Sequence, residues 1–206
     1  MVGASDGKFV IPLLRLGLRV TAVEIDEQML RGADHSLTAR ARSEGVSEHL
    51  EILAGDFRDL ALYGYDSVWT SCSWHYSLNK DRPVKLFMDC LVRSLKGGGL
   101  LGVEYMLPVV ASDLECDRYL GEGEIWGYLP RSWSVWEAYT PLFAEAPHPG
   151  KAIEHVHRMG FAVVQKEGKI SLQTTTITGH GLDDGGAKKP SKDAPPTASA
   201  GTGGQQ

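Results

Sequence analysis

A tight glycine turn, a short apolar helix and a strand ending in an acid follow one another between Met1 and Leu30. This order narrows the folds open to the chain more than any other feature. The turn is "VGASDGKF", in which Gly3 and Gly7 enclose only Ala4, Ser5 and Asp6. Glycine lacks the Cβ that would block both a sharp turn and the close approach of a ligand to the backbone. "FVIPLLRLG" reads as an apolar helix ending at Gly17, and "VTAVEID" as a β-branched strand carrying Glu24 at its C-terminal end. Together these form half of a nucleoside-binding βαβ unit. In such a unit the acid accepts hydrogen bonds from ribose hydroxyls, and the loop amides and helix N-terminus face the charged end of the ligand. The dinucleotide form, Gly-x-Gly-x-x-Gly, is absent, so a pyrophosphate-binding loop is not expected.

The segments that follow extend the alternation. "DEQMLRGADHSLTARARSEG" reads as a polar helix and "LEILAGDFRDL" as a short strand running into Gly55-Asp56-Phe57. "YDSVWTSCSWHYS" reads as a strand, "VKLFMDCLVRSL" as a helix, and "KGGGLLGVEYMLP" as a glycine turn with another strand. A βαβαβα order predicts a doubly wound α/β fold: a Rossmann-like, mostly parallel sheet, here with an antiparallel C-terminal strand.

With these motifs in place, residues 2–106 resemble the class I S-adenosylmethionine-dependent methyltransferases. Gly3-Ala4-Ser5-Asp6-Gly7 is similar to their first motif, Glu24 to the acid that holds the ribose, and Asp56-Phe57 to the pair beside the adenine. "YDSVWTS" matches the strand beneath the methionine moiety, and "LKGGGLLGVEY" the family's glycine turn, with Gly97 where proline is usual. The resemblance implies S-adenosylmethionine as cofactor, held by Gly3, Ser5, Gly7, Glu24, Ile25, Asp56, Phe57 and Ser71. It implies transfer of a methyl group to a small-molecule acceptor by direct in-line displacement. The family's first strand is almost wholly missing, since only Val2 precedes Gly3, and Ser5 replaces the middle glycine. A start upstream of Met1 is therefore expected; the alternative is a shortened, catalytically impaired methyltransferase-like partner or regulatory protein.

Composition sets the outer limits. The 206 residues suit one domain at 1–181 and a tail at 182–206, with a formal charge of −5. That charge, without a basic stripe, argues against nucleic acid as a partner. No apolar run approaches a membrane span and no signal peptide opens the chain, so no membrane partner is expected. Cys72, Cys90 and Cys116 lack CxxC spacing and read as reduced thiols of a cytoplasmic protein, two of them buried. From Leu182 the chain is glycine, proline, alanine and polar residues, the composition of a disordered tail.

Residues 107–150 form an aromatic-rich insertion. Trp133 and Trp136 are spaced for a common helix, with Tyr139 one turn further, and with Tyr105 they are the candidate acceptor wall. The competing reading is that these rings only pack the segment onto the sheet. The closing "HVHRMGFAVVQKEGKISLQTTTITG" reads as a helix and two antiparallel strands. On that helix His155 and His157 would point apart, so no metal site is expected. His75 follows the strand at its carboxyl edge and is the candidate general base, the alternatives being that Trp74-His75-Tyr76 only begins a helix or shields the cofactor. Glu104 and Tyr105 are polar groups of the same crevice. The acceptor's identity and the oligomeric state stay open.

Overall fold

A computed structural model describes residues 1–32, 34–76, 81–114, 118–147 and 152–168. In chain order the elements are α1 (Val10–Arg15), β1 (Val20–Glu24), α2 (Glu27–Arg31), α3 (Leu37–Ser43), β2 (Leu50–Ala54), β3 (Tyr65–Ser71), α4 (Ser73–Tyr76) and α5 (Val84–Ser94). They continue with β4 (Leu95–Met106), α6 (Ala111–Leu114), β5 (Ser134–Tyr139), β6 (Phe143–Glu145), β7 (His155–His157) and β8 (Met159–Gln165).

β1 pairs in parallel with β2, and β3 in parallel with β4. β8 runs antiparallel between β4 and β5. Val2 stands between the two groups, bridging in parallel to Val23 of β1 and Thr70 of β3. Its amide donates to the Trp69 carbonyl at 2.9 Å, and the Val23 amide donates to the Met1 carbonyl at 2.9 Å. The parallel strands therefore all present their C-terminal ends at one edge, where open α/β sheets bind ligands. The expected Rossmann-like sheet with an antiparallel closing strand is present.

Local sequence explains the helices that flank it. Pro12 sits in the first turn of α1, where its missing N–H has no intrahelical partner to lose, and Gly17 ends the segment at φ +75°. α1, α2 and α3 bury Val10, Ile11, Leu14, Leu30 and Leu37 against Val20 and Ala22 of β1. α5 presents Val84, Phe87, Met88 and Leu91 at helical spacing to the core beside β3 and β4. Each such side chain, fully buried, stabilises the fold by about 1.5–3 kcal/mol.

Four expectations need correction. The long polar helix after Glu24 is two helices, α2 and α3. Asp26 caps the first by accepting from the Gln28 amide at 2.9 Å, and Ser36 caps the second by accepting from Ala39. The glycine turn before β4 is a bulge within it: Tyr65 pairs with Leu95 but Ser67 with Leu100, so the residues between loop out around Gly98 at φ +80°. Trp133 and Trp136 share no helix. Trp133 ends a single 3-10 turn and Trp136 lies on β5, an edge strand of the main sheet, so part of the supposed insertion belongs to the sheet. His155 and His157 lie on a strand, because β7 pairs with β6 and that pairing outweighs local helical preference. Cys116 and the tail at 182–206 lie outside the described residues.

Candidate active site

A cleft of about 320 Å³ opens at the C-terminal ends of β1, β2 and β3. The glycine loop is its first wall. Gly3 is at φ +68°, and a Cβ there would stand 2.0 Å from Ser73 Oγ. Gly7 is at φ +91°, and its Cβ would meet Leu37 Cδ1 at 2.5 Å, so this glycine serves the packing of the loop on α3. Between them Ser5 holds φ +48°, a left-handed conformation that costs a non-glycine residue about 1–2 kcal/mol.

Glu24 closes the loop. Its Oε2 accepts from the Ser5 amide at 2.9 Å, and its Oε1 from the Ile25 amide at 2.9 Å and the Asp26 amide at 3.1 Å. One carboxylate thus fixes both the glycine loop and the end of β1. The strained Ser5 offers a test. Ser5→Gly is expected to raise stability by about 0.5–1 kcal/mol, the relief of strain being partly offset by a freer unfolded chain. Urea unfolding measures it; a lower midpoint would mean the serine side chain stabilises the loop.

The second wall is the turn after β2. Asp56 lies at the N-terminus of a 3-10 turn and accepts from the Arg58 amide at 2.9 Å. Its carboxylate also takes Arg58 Nε at 2.9 Å and an Arg58 terminal nitrogen at 2.6 Å, with Arg82 at 3.3 Å. Burial alone would raise the Asp56 carboxyl, but the hydrogen bonds and charge of Arg58, helped by Arg82, hold it at about 2. Phe57 is buried against Phe87 with ring centroids 5.5 Å apart, and both rings line the cleft.

Beyond β3 the chain turns sharply at Cys72, which is at φ +51° and donates its amide to the Glu104 carbonyl at 2.8 Å. Burial, then the Glu104 charge, pushes the Cys72 thiol up to about 12, which keeps it protonated. Ser71 Oγ donates to the Glu104 carboxylate. Cys72 and Cys90 are both free and buried, as expected.

The cleft brings together Gly3, Ser5, Glu24, Ile25, Asp56, Phe57 and Ser71. It adds Asp26, Met29, Gly55, Ser73 and Phe87, which sequence reading missed. Asp26 and Ser73 were detectable as polar residues two positions beyond strand ends; Met29 and Phe87 arrive only through packing. The aromatic candidates gather elsewhere. His75 lies in a cluster with Trp74 at 4.7 Å and Tyr119 at 5.3 Å, and burial lowers its imidazole to about 4. Tyr105 is fully buried and stacks on Trp74 at 6.2 Å. The Tyr139 hydroxyl accepts from the Gly123 amide at 2.6 Å and donates to Glu137. Trp133 packs on the main core, and Trp136 is exposed beside Phe161. None of these rings lines the cleft.

The lining is acidic and apolar. Glu24, Asp26 and Asp56 supply carboxylates, Met29, Phe57 and Phe87 supply apolar surface, and no lysine or arginine is among the lining residues. Gly55, at φ +137°, leaves open space where a Cβ would stand. Such a donor set fits a cationic nucleoside without phosphates and disfavours a pyrophosphate.

Comparison with known proteins agrees with this chemistry. Residues 1–101 match the family model of the methyltransferase domain. Residues 1–101 thus carry a methyltransferase domain. Among solved structures it is similar to YcgJ from Bacillus subtilis (TM-score 0.60, 11% identity, covering 82% of this chain and 91% of that one). It is also similar to TehB from Haemophilus influenzae (TM-score 0.62, 13% identity, 81% and 57%). A third is Haemonchus contortus phosphoethanolamine N-methyltransferase 2, bound to phosphomonomethylethanolamine and S-adenosylhomocysteine (TM-score 0.56, 14% identity, 81% and 48%). At these identities the likeness is one of fold. A search of curated proteins returned no match. No helix among the described residues is long and apolar enough to cross a membrane.

Proposed function

We propose that this protein transfers a methyl group from S-adenosylmethionine to a small-molecule acceptor by direct in-line displacement. The observation that carries this reading is the Glu24 carboxylate, set at the mouth of a cleft without basic residues and tied to the glycine loop by the Ser5 amide. Bound S-adenosylmethionine supplies a methyl group already activated by the positive sulfonium. The chain's own residues then align and enclose.

Glu24 orients the ribose hydroxyls, Ile25 and Met29 cover the sugar and base edge, and Phe57 with Phe87 gives the adenine an apolar floor. The Asp56 carboxylate is committed to Arg58 and Arg82, so Asp56 acts on the adenine through the position it gives Phe57. Gly3, Ser5 and Ser71 bound the end where the methionine portion lies, and Gly7 shapes the loop. Alignment of this kind can supply about 7–11 kcal/mol of a barrier. His75, neutral at pH 7, excludes water as part of an aromatic wall, and a dedicated base is needed only for an acceptor that arrives protonated. Trp136 and Tyr139 on β5, Tyr105 on β4, and Trp133 in the 3-10 turn before β5 support the acceptor side from outside the cleft lining.

The test is calorimetry with S-adenosylhomocysteine. Glu24→Ala is expected to weaken binding by about 1.5–3 kcal/mol, the range for hydrogen bonds to a charged group, while NAD binds neither protein. Unchanged affinity in a folded Glu24→Ala protein rejects the ribose assignment. Tight binding without turnover of any oxygen, nitrogen or sulfur acceptor would favour a non-catalytic cofactor-binding role.

A further inference from the structure

No residue of β6 or β7 is among those lining the cleft, and the pair carries a different chemistry. Residues two apart on a strand share a face, so His155 and His157 project together. β6 runs antiparallel with Glu145 directly opposite His155, which sets its carboxylate on that same face. Glu145 Oε2 lies 3.4 Å from His155 Nε2 and 3.0 Å from His157 Nε2. One ligand atom from each of the three residues falls within 4.8 Å of the others.

We propose that Glu145, His155 and His157 form a binding site for one divalent transition-metal ion, with zinc as the best match. Tetrahedral zinc with bonds of about 2.0–2.1 Å spaces its donor atoms roughly 3.3–3.4 Å apart, close to the two separations found here. His155 Nδ1 lies 3.1 Å from the Ile153 carbonyl. A proton on Nδ1 directed to that carbonyl leaves the lone pair on Nε2, which faces Glu145; this is the outer-shell arrangement that orients a ligating imidazole. The imidazoles are 9% and 15% exposed, whereas the Glu145 side chain is 47% exposed. Two imidazoles and a carboxylate form one of the protein donor sets that zinc takes. Two imidazoles and one carboxylate suit zinc and its neighbours in the first transition row, not magnesium or calcium, which prefer all-oxygen shells.

The competing account is a simple ion pair between Glu145 and protonated histidine. Titration of the full chain with zinc chloride separates the two, alongside His155→Ala, His157→Ala and the shape-preserving Glu145→Gln. The expected result is one zinc per chain, with affinity falling at least about 100-fold in either histidine variant, since loss of an outer-shell partner alone costs about 10–100-fold. Cobalt in place of zinc should show the visible absorption of a four- or five-coordinate ion in the wild type and lose it in the variants. Zinc should also raise the melting temperature of the wild type alone. S-adenosylhomocysteine affinity, which reports the cleft, should stay unchanged in every variant, so failure here and failure of the methyl-transfer reading are distinguishable. Equal zinc affinity in the wild type and a His155→Ala/His157→Ala double variant overturns the proposal, as does a wild type that binds no zinc.

Discussion

Replacing Gly3 by alanine is expected to cost about 3–5 kcal/mol of stability and, in whatever folds, to abolish S-adenosylhomocysteine binding. Two costs add. At φ +68° an alanine pays about 1–2 kcal/mol for the left-handed backbone. Its Cβ would also stand 2.0 Å from Ser73 Oγ and 2.7 Å from Ser73 Cβ, distances that force one of the two segments to move. Ser73 cannot give way cheaply. Its hydroxyl donates to the Val2 carbonyl at 2.9 Å and lies 2.8 Å from Thr70 Oγ1, so its displacement breaks bonds that join the N-terminal strand residue to β3. Partly buried hydrogen bonds of this type are worth about 0.5–1.5 kcal/mol each, and leaving a partner unsatisfied costs more. Urea unfolding and calorimetry read the two effects. Gly3→Ala combined with Ser73→Gly should recover part of the stability, because the second change opens the space; no recovery would place the cost wholly in the backbone. A Gly3→Ala protein with wild-type stability would refute the clash.

The contrast between the glycine loop and the aromatic segment shows what sequence could convey. Gly3, Glu24 and the Asp56-Phe57 pair were legible because their chemistry is local: a turn, a strand end, a second strand end, each set by the next few residues. β-Strand alternation then placed those ends together without knowledge of the packing. Trp133, Trp136 and His155 were misread for one shared reason. Trp136 and His155 lie in short strands whose identity comes from a partner distant in sequence, β8 for Trp136 and β6 for His155, and Trp133 lies in the 3-10 turn that leads into the first of these strands. Spacing of three or four residues mimics a helix when the strand is brief, and only pairing decides. Phe87 was invisible in another way: it reaches the cleft from α5, where it also serves the core. The role of Asp56 was half legible. Its place beside Phe57 was evident, but the claim of Arg58 and Arg82 on its carboxylate depends on a turn that folds Arg58 back onto its neighbour.

That claim leads to the second large effect. Asp56→Ala is expected to destabilise the protein by about 3–5 kcal/mol near neutral pH, because it removes the carboxylate from a guanidinium that is only 4% exposed. Asp56→Asn should cost less, since an amide oxygen can still accept from the Arg58 amide and cap the turn. The pH dependence follows from the direction of the shift. The folded carboxyl sits at about 2, below its ordinary value of 3.8, so the folded state favours the ionised form. Its contribution is therefore complete above the ordinary value and is lost as pH falls from about 4 towards 2. A shift of this size corresponds to about 2 kcal/mol, and the side chain's 11% exposure leaves little solvent screening to reduce it. Unfolding curves for the wild type and Asp56→Ala should accordingly lie far apart at pH 7 and draw together between pH 4 and 2. A gap that stays constant over that range would mean that the charge on Asp56 contributes nothing and the turn alone is responsible. Arg82→Ala, by contrast, should change stability by less than about 1 kcal/mol, because that arginine makes its closer bonds to the exposed Asp59.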